Sequence, residues 1–155
     1  KKAIQLEIKK LEEALIKENE REMLTHIPSI LWIGRKMAFF LIVISNGFND
    51  FESASKLKLF YCFAPAERVS GSSVKEVSRI SKSGNGLIRN HLLMCRFIAS
   101  NCNPACKALY ERIVAKGKSK KLALIAVCNK LVVQAFSIAK LGLPYDEKYK
   151  IKLVA

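Results

Sequence analysis

The chain has 155 residues, half of them hydrophobic, and carries 27 Lys and Arg against 13 Asp and Glu, a formal net charge of +14. That length holds one well-buried core rather than two, and a charge so far from zero favours a polyanionic partner. Nucleic acid fits better than a membrane surface, because no segment pairs a lipid-facing apolar stripe with a cationic flank.

The charge is unevenly placed. Residues 1–25 hold six cations and six acids, so the remaining 21 cations and 7 acids put the whole excess on the globular part. Five cysteines, an odd number without paired spacing, argue against a disulfide scaffold and for a reducing compartment. Cys102 and Cys106 lie four apart, yet neither His26 nor His91 stands at zinc-finger spacing to them, so small buried thiols are expected and no metal site. No signal peptide opens the chain, and the longest purely apolar run, Met37 to Ile44, is well short of the ~20 residues a membrane span needs. A cytoplasmic protein without a membrane partner is expected. Lys1 stands where a complete chain would start with Met, which suits a piece of something longer.

In chain order, residues 1–25 read as an amphipathic helical arm whose seam is Ile4, Ile8, Leu11 and Leu15. Two heptads leave pairing with a partner helix and packing on the chain's own core both open. Residues 26–143 read as a helical domain. The stretch Leu24 to Ile44 contains a proline turn, a second turn at Gly34 and then an apolar helix. Gly34 followed by Arg35, Lys36 and Ala38 suits the second half of a helix-hairpin-helix element, in which a turn glycine exposes N–H groups to a phosphate. An ordinary helix start with a core-facing Trp32 is the alternative. Asn46 to Asp50 is turn chemistry, and Phe51 to Phe63 a short helix capped by Ser53 or Ser55, with Leu57, Phe60 and Tyr61 buried.

Pro65 to Arg89 lacks apolar periodicity and is rich in serine and glycine, so a loop is expected. Five of its seven charged residues are basic (Arg68, Lys75, Arg79, Lys82 and Arg89), which suits a phosphate backbone. Asn85 is a candidate cap for a helix running to about Ser100, on which Arg89 and Arg96, seven apart, could face one phosphate strand or simply solvent. The next helix has Asn103 as cap, Pro104 at its first position and Gly117 past its end. Lys116 to Lys121 is a dense basic turn in which Lys118, Lys120 and Lys121 are candidate phosphate contacts. Ser119 then starts a helix to Leu141, apolar almost all round and so the central buried one. Residues 144–155 form a basic tail.

No hydrolytic triad or paired-metal pattern is present. A serine in a cationic, glycine-flexed loop can attack a phosphodiester when a base or metal activates it, and Ser70-Gly71 is the best placed, though Ser-Gly is also an ordinary turn pair.

The order Phe51-Glu52-Ser53-Ala54, Tyr61-Cys62, Ala64-Pro65, Ser70-Gly71-Ser72-Ser73, Arg79 to Lys82, Gly84-Asn85, Leu87 to Arg89, Asn103-Pro104, Tyr110, Lys116 to Lys118 and Lys130-Leu131 resembles the C-terminal transposase domain of the one-ten family of bacterial insertion sequences. These are DEDD-type, bridge-RNA-guided serine recombinases. The resemblance covers roughly residues 20 to 147. It implies a ribonuclease-H-like N-terminal domain bringing four acidic residues and Mg2+, a C-terminal serine that joins the cleaved strand, a structured guide RNA and a homo-oligomer on DNA. By position that serine is Ser70, beside Gly71. Two departures stand out: Ser29 and Leu31-Trp32 replace the turn glycines of the first hairpin, and the acidic domain is not among these residues. The sequence therefore predicts an all-α domain that binds DNA and presents Ser70, inactive without the metal-bearing half. A non-enzymatic basic helical module, and a dimerisation piece working through residues 1–20, remain as other readings.

Overall fold

Three side chains fix where helices begin. Ser53 accepts the Lys56 N–H at 3.3 Å, Asn103 accepts that of Cys106 at 3.2 Å, and Ser119 accepts that of Leu122 at 3.3 Å, each filling a donor the helix leaves unpaired. In this computed structural model the described residues are 10, 14, 18–31, 33–61, 63, 65–66, 69–70, 74–75, 79–80 and 86–146. Their helices are α1 (Glu18–His26), α2 (Arg35–Ile44), α3 (Ala54–Phe60), α4 (Gly86–Cys102), α5 (Pro104–Ala115) and α6 (Lys120–Leu141), with a 3-10 turn at Ile27–Ser29. The all-α expectation holds.

The expected 65–89 loop departs from its forecast. Two short antiparallel ladders occupy it: β1 (Pro65–Ala66) pairs with β4 (Arg79–Ile80), and β2 (Val69–Ser70) pairs with β3 (Val74–Lys75). Serine and glycine disfavour regular structure, but the valines at 69 and 74 favour extended backbone, and a two-residue ladder asks for no more.

Helix α6 is the axis of the core. Val127, Cys128, Leu131, Val132 and Ala135 are fully buried on it, and it packs against α3, α4, α5 and α1. By length and composition alone it could cross a membrane; instead its apolar surface is met by the other helices, as in the core helix of a globular domain. Gly117 (φ +72°) ends the turn after α5 and Gly142 (φ +64°) closes α6, both in the left-handed region that glycine enters without cost.

Asn103 joins α4 to α5 and is fully buried. Asn103→Ala should lower unfolding free energy by about 1–2 kcal/mol, and Asn103→Ser, which keeps an acceptor, should recover most of it. Urea titration with far-UV circular dichroism measures both, and equal losses for the two variants would refute the capping role.

Helix α2 ends in a turn where Asn46, Gly47 and Phe48 are all left-handed, with φ of 48°, 64° and 63°. The Leu41 carbonyl accepts from the Ser45 hydroxyl at 2.6 Å and the Tyr61 hydroxyl at 3.4 Å. Burial pushes the Tyr61 phenol far above its ordinary value, outweighing the lowering effect of its hydrogen bond with Ser45.

Phe60 corrects an expectation. It is 43% exposed, because in so short a helix Leu57 and Tyr61 take the inward face and leave Phe60 on the flank, its ring 5.1 Å from that of Phe51. At the other end of the chain, the Tyr145 N–H donates to Ser29 Oγ at 2.7 Å and Gln134 Nε2 donates to the Tyr145 hydroxyl at 3.2 Å. Residues 144–146, the start of the expected tail, are thus held against the 3-10 turn. The arm's seam residues Ile4, Ile8, Leu11 and Leu15, with Trp32, Asn85 and residues 147–155, lie outside the described residues. Of the expected arm, Leu24 joins the core cluster.

Candidate nucleic-acid interface

Helix α2 starts at Gly34, whose extended backbone (φ −71°, ψ 163°) places it at the cap position. No acidic residue stands in its first turn, and among the described residues no side chain caps this end and nothing lies within 4 Å of where a Gly34 Cβ would be. Gly34, Arg35 and Lys36 are all exposed. Open amide donors at the positive end of a helix dipole, flanked by two cations, suit an oxyanion such as a phosphate.

The second cationic centre is the turn between α5 and α6. From Lys107 to Lys121 there are six cations (Lys107, Arg112, Lys116, Lys118, Lys120, Lys121) against the single acid Glu111, and every one is exposed. Lys120 and Lys121 sit in the first turn of α6, where helix N–H groups already make the potential positive and no acidic side chain offsets it. Cations there oppose the helix dipole by about 0.3–1 kcal/mol each, a cost that an incoming polyanion removes. Arg112 on α5 and Lys116 at its C-cap, four residues apart, extend this centre. The sequence reading did not choose them as contacts, although their spacing of four was legible.

The loop residues divide. Ser70 lies on β2 opposite Val74, Lys75 on β3 opposite Val69, and Arg79 on β4 opposite Ala66. Three residues separate Ser70 from its ladder partner in the sequence, which makes Ser70 and Val74 the inner pair of that ladder. Arg68, Gly71 and Lys82 lie outside the described residues.

Arg89 and Arg96 share a side of α4, as their spacing of seven predicts, but it is the half-buried side. The Arg96 guanidinium stands 4.8 Å from the Phe97 ring centre, and its Nε is buried without a hydrogen-bond partner. The two arginines therefore flank the protein body, and the exposed lysines form the wetter cationic surface.

The two buried thiols, Cys106 and Cys128, are chemically quiet. Burial pushes Cys128 up to about 12 against the lowering effect of the Arg96 charge, and pushes Cys106 up to about 11 against that of Lys130. Among the described residues no three of His, Cys, Asp and Glu come together in a group that could hold a metal ion. Those residues do not fit Mg2+, so the acids and metal implied by the resemblance have no counterpart among them.

Comparison with known proteins bears on what these surfaces serve. Residues 22–111 match the model of the transposase IS116/IS110/IS902 family. Over 123 residues the chain is 32% identical to the pilin gene-inverting proteins of Moraxella lacunata and Moraxella bovis, covering 79% of this chain and 38% of each relative. It is 25% identical over 126 residues to the insertion element IS110 uncharacterized 43.6 kDa protein of Streptomyces coelicolor, covering 81% of this chain and 30% of that protein. The chain thus spans less than two-fifths of the length of these relatives. The matched segment runs from α1 through the Ser70 ladders into α5, and with it the chain belongs to the IS116/IS110/IS902 family of transposases.

Proposed function

We propose that this chain is the DNA-binding C-terminal part of an insertion-sequence transposase and that Ser70 is its nucleophile. The observation that carries DNA binding is the pair of exposed cationic helix starts, at Gly34–Lys36 and at Lys118–Lys121, neither with an acidic residue in its first turn, within a transposase-family chain of net charge +14. Polyphosphate binding follows from charge density at both helix starts, together with the uncapped N-terminus at Gly34. The element beginning at Gly34 is proposed as the surviving half of a helix-hairpin-helix. A structured guide RNA would present the same phosphate chemistry, and the cytoplasm is the compartment where both polymers are met.

Ser70 rests on the motif order around it and on its place in the inner pair of the β2–β3 ladder. In the proposed step the Ser70 oxygen bonds to the scissile phosphorus as the bond from phosphorus to one strand end breaks. The hydroxyl proton passes to a base, and the released end leaves as an alcohol. Acidic residues and Mg2+ for that reaction belong, by this proposal, to the part of the longer relatives that this chain does not span. The basic-module reading keeps DNA binding and dispenses with the covalent step.

The two readings separate on Ser70→Ala in the intact transposase, assayed with guide RNA, Mg2+ and a suicide DNA substrate. Loss of the protein–DNA adduct, with DNA affinity within about twofold of the parent, is expected. An adduct that persists in Ser70→Ala sinks the nucleophile assignment and leaves the basic module.

A further inference from the structure

Helices α5 and α6 fold back on each other through the short turn at 116–119, but they differ in length. α6 has 22 residues, about 33 Å, and α5 has 12, about 18 Å, so the last turns of α6 have no α5 beside them. The chain then reverses at Gly142 and returns along α6, where Tyr145 is tied to Gln134 and to Ser29. Between the start of α5 at Ala105, the side of α6 and residues 143–146 lies a groove of about 900 Å³, within the size range of small-molecule sites. Most of its wall is apolar, with Val133 and the Phe136 ring contributing. Three of its groups are not. Gln134 spends its Nε2 on the Tyr145 hydroxyl, while its Oε1 is buried and has no hydrogen-bond partner among the described residues. Lys130 and Lys140 line the groove as well, and neither has an ion-pair partner among the described residues. They stand about 15 Å apart along the helix axis, and the Lys140 ammonium leans back over Phe136, 5.6 Å from its ring centre. The acid in the lining is Asp146.

We propose that this groove receives one unstacked nucleobase of a bound strand, with Gln134 on the base's hydrogen-bonding edge and Lys130 and Lys140 on the phosphates to either side. Three properties of the site select that ligand together. A buried amide oxygen without a donor is costly, and each nucleobase carries an N–H on its pairing edge that can supply one. The apolar wall and Phe136 suit a flat ring. The two lysines call for negative charge on both sides of that ring, and a nucleotide within a strand joins a flat hydrogen-bonding ring to a phosphate on either side. A hydrophobic peptide would leave both lysines unanswered, and a bare phosphate would leave the wall and Gln134 unanswered. Asp146 opposes a phosphate in its own vicinity, which leaves the two lysines as the places where the backbone crosses. The inference rests on the DNA-binding reading and is independent of Ser70. It adds a contact that touches a base to surfaces that otherwise meet phosphate, and base contacts are what give a strand-binding protein its sequence preference.

The test compares, by fluorescence anisotropy on the 155-residue chain at about 0.15 M salt, a single strand of about twelve nucleotides with an abasic strand of the same length and charge. The normal strand should bind at least about tenfold tighter. Gln134→Leu, which keeps the bulk of the side chain and removes its amide, should cut that ratio at least about threefold and leave the abasic strand's affinity unchanged; a variant that merely misfolds would lose both strands. Photo-cross-linking with a strand containing 4-thiothymine, mapped by mass spectrometry, should mark Phe136 or Tyr145. Run with deoxyribose and with ribose strands, the comparison assigns the base to the polymer that gives the larger ratio. Equal affinity for normal and abasic strands overturns the inference and leaves the groove to residues 147–155 or to a smaller ligand. A ratio indifferent to Gln134→Leu, or cross-links confined to other parts of the chain, overturns it as well. If duplex and both single strands all fail to bind, the DNA-binding reading falls and this inference with it, whereas duplex binding with equal strand affinities removes this inference alone.

Discussion

Gly47→Ala should destabilise the domain by about 2–4 kcal/mol, more than a surface turn substitution usually does. Gly47 is at φ +64°, where a Cβ costs about 1–2 kcal/mol on backbone grounds alone. The surroundings add to that. A Cβ at Gly47 would stand 2.7 Å from Glu20 Oε1 and 3.2 Å from Glu20 Cγ, and Glu20 is itself buried, at 6% exposure. Relief therefore means moving a buried carboxylate rather than swinging a solvated side chain, which exposes or unpairs a charge that α1 has brought inside.

The flanking residues cannot take up the strain, because Asn46 and Phe48 already occupy the same left-handed region. Phe48 is also anchored in the core, its ring 6.4 Å from that of Phe136 on α6. Urea denaturation of Gly47→Ala and of Gly47→Ala with Glu20→Ala measures the effect and its origin. The double variant should lose less than the two single losses combined, since removing the carboxylate removes the contact. An unchanged midpoint in Gly47→Ala refutes the close approach, and strict additivity refutes Glu20 as its partner.

That turn marks the division between what local sequence carries and what it does not. Asn46-Gly47 was legible as a turn, because asparagine and glycine enter the left-handed region more easily than other residues. The approach of Glu20 was not, since it depends on α1 folding back across more than twenty residues. Asn103 and Ser119 were legible as caps for the same local reason, Ser53 as one of two candidates with Ser55, and α6 as the core helix because its apolar residues circle the whole helix.

Tyr145 shows the opposite case. Its N–H reaches Ser29 from 116 residues away, and no pattern within the C-terminal segment announces that. The ladders around Ser70 escaped notice because serine and glycine dominated the composition while each pairing needed only two residues. Family membership was legible in an ordered set of short motifs, each weak alone, and the family match over residues 22–111 supports it at the level of a transposase. Arg89 and Arg96 mark the limit of spacing arguments. A seven-residue interval places two side chains on one side of a helix and says nothing of whether that side faces water.

Removing the three lysines at the start of α6 should have the largest effect on binding. Lys118→Ala, Lys120→Ala and Lys121→Ala together should weaken duplex DNA affinity about ten- to a hundredfold near 0.1 M salt and flatten the log–log salt slope by up to ~3. Stability should move the other way. Lys120 and Lys121 oppose the α6 dipole, so their removal should raise unfolding free energy by a few tenths of a kcal/mol up to about 1 kcal/mol. A binding loss accompanied by a stability gain cannot come from unfolding, which makes the pair of measurements more informative than either one. Lys56→Ala provides the reference, because its ammonium is paired with Glu52, which stands just before α3, and neutralising a paired lysine should change affinity by less than about threefold. Fluorescence anisotropy across a salt series, with thermal melts of the same proteins, reads both quantities. If the triple variant keeps the parent's salt slope, the α5–α6 turn does not contact phosphate, and DNA binding would have to rest on Gly34–Lys36 and the loop cations instead.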